Sequence, residues 1–86
     1  MSNYTSIVSP LPGIVYLQPS PEEAVYVKPG DQIKIADVIA IIEIMKTFYE
    51  ITAEQDGVFE AYMVKNGDTV DDGDTIATLK VDNSVI

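Results

Sequence analysis

One lysine is the side chain in this sequence best placed to take part in chemistry. The segment Glu43-Ile44-Met45-Lys46 ends a β-branched run over residues 38–42, and residues 47–51 are again aromatic and β-branched. Such residues favour strands, so the sequence predicts that Met45 and Lys46 form the tip of a β-hairpin. A lysine held at such a tip projects its amine into solvent, where another protein can reach it.

The sequence predicts that this amine is presented by the chain and activated by a partner. The amine of an ordinary surface lysine is protonated at neutral pH, and a protonated amine is a poor nucleophile. No residue close to Lys46 in the sequence is of a type that obviously removes that proton. We therefore expect that the chain does not modify this amine itself and has no catalytic residue of its own.

The composition excludes several kinds of function. The 86 residues suffice for one domain and contain neither Cys nor His, which removes thiolate and imidazole catalysis and nearly all zinc sites. The net charge of −9 argues against binding to nucleic acid or anionic membranes, because phosphate binding needs clustered Lys and Arg. No apolar stretch approaches the roughly 20 residues of a membrane span, and no signal peptide is visible. We expect a cytoplasmic protein with no metal site.

The chain contains an internal repeat. Residues 27–43 align with residues 64–80 at a constant offset of 37, and seven of the 17 aligned residues are identical, which is enough to assign equivalent positions. Upstream, residues 13–16 resemble residues 57–60 at an offset of 44. The first copy therefore carries seven extra residues, within residues 18–26.

The repeat predicts an all-β fold built from two similar halves. Each half reads as short apolar strands separated by Gly-Asp and Asp turns, and each exposes an apolar face that only the other half can cover. We expect a pseudo-twofold sandwich over residues 7–82. Residues 1–6 are interpreted as a disordered N-terminus and residues 83–86 as a frayed C-terminus.

The repeat also assigns the two faces of the strand that leads to Lys46. Ala40, Ile42 and Ile44 correspond to apolar residues of the second copy, whereas Ile41 and Glu43 correspond to Thr78 and Lys80. Because side chains alternate across a strand, the first set should face the core. Glu43 should then be exposed near Lys46, and Ile44 should be partly buried. Elsewhere, the aromatic residues are expected to serve as core residues and cross-strand pairs.

The segment around Lys46 resembles the biotin-attachment motif Glu-Ala-Met-Lys-Met of biotin carboxyl carrier domains. Ile44 stands where Ala is usual, and Thr47 stands where the second Met is usual. The resemblance implies a flattened β-barrel, a sandwich of two antiparallel four-stranded sheets, with biotin attached covalently to Lys46. It also implies that Glu43, Ile44, Met45 and Thr47 form the motif that surrounds the attachment point.

The seven extra residues resemble the thumb of bacterial acetyl-CoA carboxylase carrier domains. In that family the thumb projects beside the biotinyl-lysine and contacts the cofactor ring. The resemblance implies a place near Lys46 for the corresponding segment here, which is rich in proline and turn-forming residues. The thumb residues are Gln18, Pro19, Ser20, Pro21, Glu22, Glu23 and Ala24.

The function implied is that of a biotin carboxyl carrier. A biotin protein ligase would biotinylate Lys46, and the carrier would take a carboxyl group from a biotin carboxylase to a carboxyltransferase, as in acetyl-CoA carboxylase or a related carboxylase. Two alternatives remain at this stage. One is a lipoyl or acyl carrier, although lipoyl domains typically have Asp where this chain has Met45. The other is an unmodified interaction module that keeps the fold.

Overall fold

The structure is a computed structural model that describes residues 2–82, with side chains over residues 3–81. This part of the chain contains eight strands and no helix, and hence no helix that could span a membrane. The strands are β1 (Ser2–Val8), β2 (Gly13–Tyr16), β3 (Gln32–Ile33), β4 (Val38–Ile44), β5 (Thr47–Thr52), β6 (Gly57–Tyr62), β7 (Thr69–Val70) and β8 (Thr75–Asp82). The expected all-β class is confirmed.

The strands form two antiparallel four-stranded sheets, as predicted. One sheet has the order β1-β8-β6-β3 and the other has the order β5-β4-β2-β7. The repeat relates the two sheets strand by strand, because β1, β2, β3 and β4 correspond to β5, β6, β7 and β8. Each sheet therefore takes two strands from each half of the chain, an exchange that the repeat alone does not reveal.

The turns of the two halves repeat each other bond for bond. The Oδ2 atom of Asp31 accepts a hydrogen bond from the backbone N–H of Lys28 at 2.9 Å, and Asp68 accepts one from Lys65 at 2.8 Å. Asp37 and Asp74 do the same one turn later, each for the residue three positions earlier, at 2.9 Å. The aspartates of the repeat are therefore structural turn residues.

The core lies between the two sheets, and its residues confirm the predicted alternation in β4. Ala40 and Ile42 are fully buried, Ile44 packs at the edge of the core, and Ile41 and Glu43 lie on the outer face. The register shift in the pairing of β4 with β5 lies beside Ile39, which is buried as well. The buried apolar residues are Ile7, Val15, Leu17, Val27, Ile33, Ile39, Ala40, Ile42, Ile51, Ala53, Phe59, Val70, Ile76, Ala77 and Leu79.

The expectation of a disordered N-terminus over residues 1–6 is wrong for residues 2–6. β1 begins at Ser2 and pairs with β8 along its length, from Ser2 opposite Asp82 to Val8 opposite Thr75. The segment is polar, but an edge strand can be polar because it covers less of the core than a central strand does. Its place is the repeat equivalent of β5. Residues 83–86, expected to be frayed, lie outside the described residues.

One backbone hydrogen bond departs from the repeat. In the second half, the N–H of Met63 donates to the carbonyl of Ile76 at 2.7 Å. Tyr26 and Ile39 occupy the equivalent positions in the first half, but the N–H of Tyr26 donates instead to the carbonyl of Leu17 at 2.9 Å. The insertion before Tyr26 therefore diverts a donor that the repeat would have directed to Ile39.

A tyrosine from the other half replaces that donor. The hydroxyl of Tyr62 donates to the carbonyl of Ile39 at 2.7 Å, beside a core residue that is fully buried. Burial raises the pKa of Tyr62 to about 12, so the hydroxyl keeps its proton throughout the neutral range. The buried carbonyl is thus satisfied, which matters because an unpaired buried polar group costs about 1–3 kcal/mol.

The repeat predicts how substitutions at Ala36 and at its equivalent, Gly73, change the free energy of unfolding. Ala36 has a φ of 77°, in the left-handed region, where its repeat equivalent Gly73 has a φ of 91°. That conformation costs an L-residue about 1–2 kcal/mol, partly offset by the lower entropy of unfolded alanine. Ala36→Gly should raise the free energy of unfolding, measured in urea, by up to about 1 kcal/mol.

Gly73→Ala is the matched control, because a Cβ added there meets no atom within 4 Å and the change acts through the backbone alone. It should lower the free energy of unfolding by about 1 kcal/mol. A fall in stability for Ala36→Gly would contradict the equivalence of the two turns.

Candidate attachment site

Met45 and Lys46 are the two central residues of the turn that joins β4 to β5, as predicted. Ile44 pairs with Thr47 on either side of them, and both central residues have positive φ, 49° and 67°. Two positive φ values define a type I′ turn, whose twist matches that of the flanking strands. Asn and Gly usually fill such turns, and each L-residue in the left-handed region costs about 1–2 kcal/mol. The turn therefore carries backbone strain at the lysine itself.

The tip of the hairpin is open to solvent. Lys46 and Thr47 are exposed, and Met45 is 92% exposed, so this large apolar side chain contributes nothing to the core. Large apolar residues with that degree of exposure are informative when they border a functional group. The tip presents an amine beside an apolar side chain to any protein that approaches the end of the hairpin.

Glu43 faces outward as predicted, but it is half-buried and hydrogen-bonded. The hydroxyl of Tyr16 donates to its Oε1 atom at 2.8 Å. β2 lies close to β4 at this point, since a Cβ on Gly13 would be 2.6 Å from the carbonyl oxygen of Glu43. Glycine at position 13 therefore permits the close approach of the strand that carries Tyr16.

Tyr16 is held from two sides. Its ring centroid lies 6.4 Å from that of Phe48, at an angle of 49°. The hydrogen bond to Glu43, together with partial burial, raises the pKa of Tyr16 above its ordinary value of 10.0. The phenol therefore stays protonated at neutral pH and continues to donate to Glu43.

Residues 18–24, called the thumb loop below, form an irregular loop with internal hydrogen bonds. The N–H of Glu23 donates to the carbonyl of Ser20 at 3.1 Å, and the side chains of Gln18 and Ser20 add bonds of 2.8 and 3.2 Å within the loop. The bond from Tyr26 to Leu17 closes its base. The expected absence of strand structure in this segment is confirmed.

A groove of about 320 Å³ separates the thumb loop from the outer face of β2, β4 and β5. Glu22, Glu23 and Ala24, the last three thumb residues of the sequence interpretation, do not line it. The lining residues are Tyr16, Gln18, Pro19, Ser20, Pro21, Ile41, Glu43, Phe48 and Asn66. A second cleft, of about 230 Å³, lies between β1 and β5 and does not border the motif residues.

The groove begins directly below the hairpin tip. Glu43 pairs with Phe48, one pair below the Ile44–Thr47 pair that flanks the turn. Clefts of about 300 Å³ and more are typical of small-molecule sites, with mostly apolar walls and a few polar groups. Aromatic rings, prolines and a few amide and carboxylate groups make up this wall. The residues present fit a small apolar ring system with hydrogen-bonding edges.

The sequence did not predict several residues of the groove. The interpretation of the aromatic residues holds for Phe59 and Tyr62, whose rings pack edge to face at 4.7 Å. Phe48 makes a ring contact with Tyr16 across the sheet, but it is 58% exposed and also lines the groove, which the interpretation did not predict. Strand alternation could have placed Tyr16 and Ile41 on the face under the insertion. Asn66 had no such signal, because its repeat equivalent is a proline.

Comparison with known proteins decides the family. A family model described as "Biotin-requiring enzyme" matches residues 5–79, which is most of the chain. The chain belongs to this biotin-requiring enzyme family. The match starts within β1, in agreement with the ordered N-terminal strand.

Relatives within the family are carrier proteins. The chain is 44% identical to the biotin carboxyl carrier protein of acetyl-CoA carboxylase from Porphyra purpurea over 75 residues, 87% of this chain and 48% of the relative. It is 43% identical to the protein of the same name from Chlamydia trachomatis over 67 residues, 78% of this chain and 41% of the relative. The chain thus spans about half the length of these relatives or less.

A solved structure supports the same fold. The crystal structure of the Kluyveromyces lactis urea carboxylase matches with a TM-score of 0.73 and 28% identity. The match covers 90% of this chain and 6% of that protein. Most of this biotin-requiring enzyme family member therefore corresponds to a small part of a large carboxylase.

The bond between Tyr16 and Glu43 gives a prediction about titration. Glu43→Gln removes the negative charge that the phenol faces, so the pKa of Tyr16 should fall towards 10.0. The measurement is an NMR titration of the tyrosine ring resonances. Glu50→Gln is the matched control, because Glu50 raises the pKa of Tyr26 and not that of Tyr16. An equal effect of both variants on Tyr16 would rule out a specific bond.

Proposed function

We propose that this domain is a biotin carrier and that the amine of Lys46 is its covalent attachment point. The observation that carries the proposal is the position of Lys46, exposed at the centre of a type I′ turn within a matched biotin-requiring domain. Besides Lys46, Glu43 and Met45 are the residues that this chain has in common with the attachment motif of biotin carrier domains. Glu43 lies on the outer face of β4, and Met45 lies at the tip of the hairpin. Ile44 differs from the Ala of the motif, but its side chain packs against the core, so the difference lies below the surface.

The surroundings of Lys46 support attachment by a separate ligase. Its neighbours Met45 and Thr47 supply no base, and the nearby carboxylate of Glu43 accepts a hydrogen bond from Tyr16. A biotin protein ligase would therefore provide the base and biotinyl-adenylate. The amine nitrogen attacks the biotin carbonyl carbon, an amide bond forms, the acyl-phosphate bond breaks, and AMP and the amine proton leave. The domain is then a non-catalytic carrier.

The thumb loop provides the resting place of the biotin ring in this proposal. Bound biotin supplies a ureido nitrogen that accepts a carboxyl group, and this is the chemistry that the domain transports. Phe48, Tyr16 and the thumb prolines would cover the apolar side of the ring. The hydrogen bonds within the loop support this role, because a loop held in place before binding loses less entropy when it makes contact.

The carrier is inferred to serve a biotin-dependent carboxylase in the cytoplasm. Its partners would be a biotin carboxylase, which loads the carboxyl group, and a carboxyltransferase, which removes it. We favour acetyl-CoA carboxylase as the enzyme served. The relatives that align over most of this chain are named as biotin carboxyl carrier proteins of that enzyme. The net charge of −9 favours basic surfaces on those partners, and charge attraction raises the rate of encounter.

The attachment point can be tested by mass. After co-expression with a biotin protein ligase, the intact domain should gain one biotinyl group, and Lys46→Arg should gain none. Lys28→Arg and Lys65→Arg are matched controls, because these lysines precede equivalent turns of the two halves, and both should be labelled in full. Labelling of Lys46→Arg, or labelling of the parent only by a lipoyl ligase, would overturn the assignment.

The thumb can be tested by removal. The bond between Tyr26 and Leu17 closes the base of the loop, so the chain can be rejoined there after deletion of residues 18–24. The deletion should leave folding and biotinylation nearly unchanged and slow carboxyl transfer by about tenfold or more, because a positioning contact is lost. Transfer rates are measured with the carboxylase partners and compared with ligase rates.

A second variant keeps the loop length. Replacing Pro19 and Pro21 by Gly should slow transfer in the same direction while the loop remains in place, because the two rings line the groove. If the deletion unfolds the domain and the proline variant transfers normally, the segment has a structural role only.

A further inference from the structure

Asn66 makes a long-range contact at the entry to the thumb loop. Its Oδ1 atom accepts a hydrogen bond from the backbone N–H of Leu17 at 2.7 Å, across a separation of 49 residues. Leu17 is buried and directly precedes the loop, and Asn66 itself lines the groove. A side chain of the second half thus meets the insertion of the first half at its base.

The contact is additional to what the repeat requires. The repeat equivalent of Asn66 is Pro29, which has no side-chain acceptor, and both turns close by the same aspartate hydrogen bond. The next residues, Gly30 and Gly67, have nearly the same φ, 94° and 90°. The turn therefore forms without an asparagine, and the amide of Asn66 is available for the loop.

The turn that contains Asn66 is hydrogen-bonded to β2. The N–H of Gly67 donates to the carbonyl of Val15 at 2.7 Å, and the N–H of Val15 donates to the carbonyl of Asp68 at 2.9 Å. These bonds hold the turn of Asn66 against β2, the strand that leads into the thumb loop. Since a backbone N–H can only donate, the amide oxygen of Asn66 must face Leu17.

Both backbone groups of Leu17 are therefore engaged. Its N–H donates to Asn66 at 2.7 Å, and its carbonyl accepts from Tyr26 at 2.9 Å. The first bond holds the entry of the loop, and the second joins the entry to the exit. Loss of the first would remove the hydrogen bond between the loop entry and the second half and leave the bond that joins the entry to the exit.

We propose that Asn66 is a positioning residue that holds the thumb loop at its entry and so sets the width of the groove beside Lys46. The anchoring concerns the unmodified domain. Its effect on the cofactor ring rests on the function proposed above, so the two parts are tested separately.

The anchoring is measured in the unmodified domain by amide hydrogen exchange at Leu17, relative to the global free energy of unfolding. Asn66→Ala should speed exchange of this amide by roughly fivefold to tenfold, the equivalent of one hydrogen bond. Asn66→Asp keeps an acceptor oxygen and should restore protection. Asp31→Ala, which breaks the equivalent turn bond in the first half, should leave Leu17 protected. Unchanged exchange in Asn66→Ala would overturn the proposal.

The effect on the ring is measured in the biotinylated domain from the NMR resonances of the biotin ring, compared with free biocytin. Asn66→Ala should move them at least about halfway to the free values, and Asn66→Asp should not. If the parent already matches free biocytin, the groove part of the proposed function fails while the exchange result stands. If the parent differs and Asn66→Ala has no effect, the positioning role is wrong.

Discussion

The exchange of strands between the two halves is the constraint on which the rest of the structure depends. Four ladders join strands of different halves, namely β1–β8, β3–β6, β4–β5 and β2–β7. Neither half can complete a sheet alone, and the apolar faces meet only when both halves are folded. The hairpin that carries Lys46 is the covalent junction of the halves, so the lysine sits where one strand from each half is held in place.

Local patterns account for what the sequence could predict. Alternation along β4 located Ile42 inside and Glu43 outside, and the strand-forming runs on either side of Met45 and Lys46 located the lysine at a tip. The features that the sequence did not predict depend on contacts between residues far apart in the chain. The polar residues of β1 do not mark a strand by themselves, because the edge of β8 determines their conformation. The full lining of the groove also could not be predicted, since Phe48 and Asn66 come from elements distant in sequence from the thumb loop.

The thumb loop shows how a repeat protein accommodates an insertion in one half. Two side chains of the other half form hydrogen bonds that the insertion requires or makes possible. Tyr62 supplies the donor that Ile39 loses when the insertion diverts Tyr26, and Asn66 binds Leu17 at the entry. Their repeat equivalents are Val25 and Pro29, which can do neither. The two halves have thus diverged in complementary ways around the thumb loop.

The type I′ turn has a consequence for the motion of anything attached to Lys46. Because the turn and its flanking pairs determine the φ of the lysine, the backbone cannot act as a swivel. The rotational freedom that the protein contributes to such a tether begins at the Cα–Cβ bond of Lys46, whose side chain carries about 2 kcal/mol of rotamer entropy. A group attached to Lys46 would therefore move within a volume of fixed origin, and the orientation of the whole domain would determine which protein surfaces it can reach.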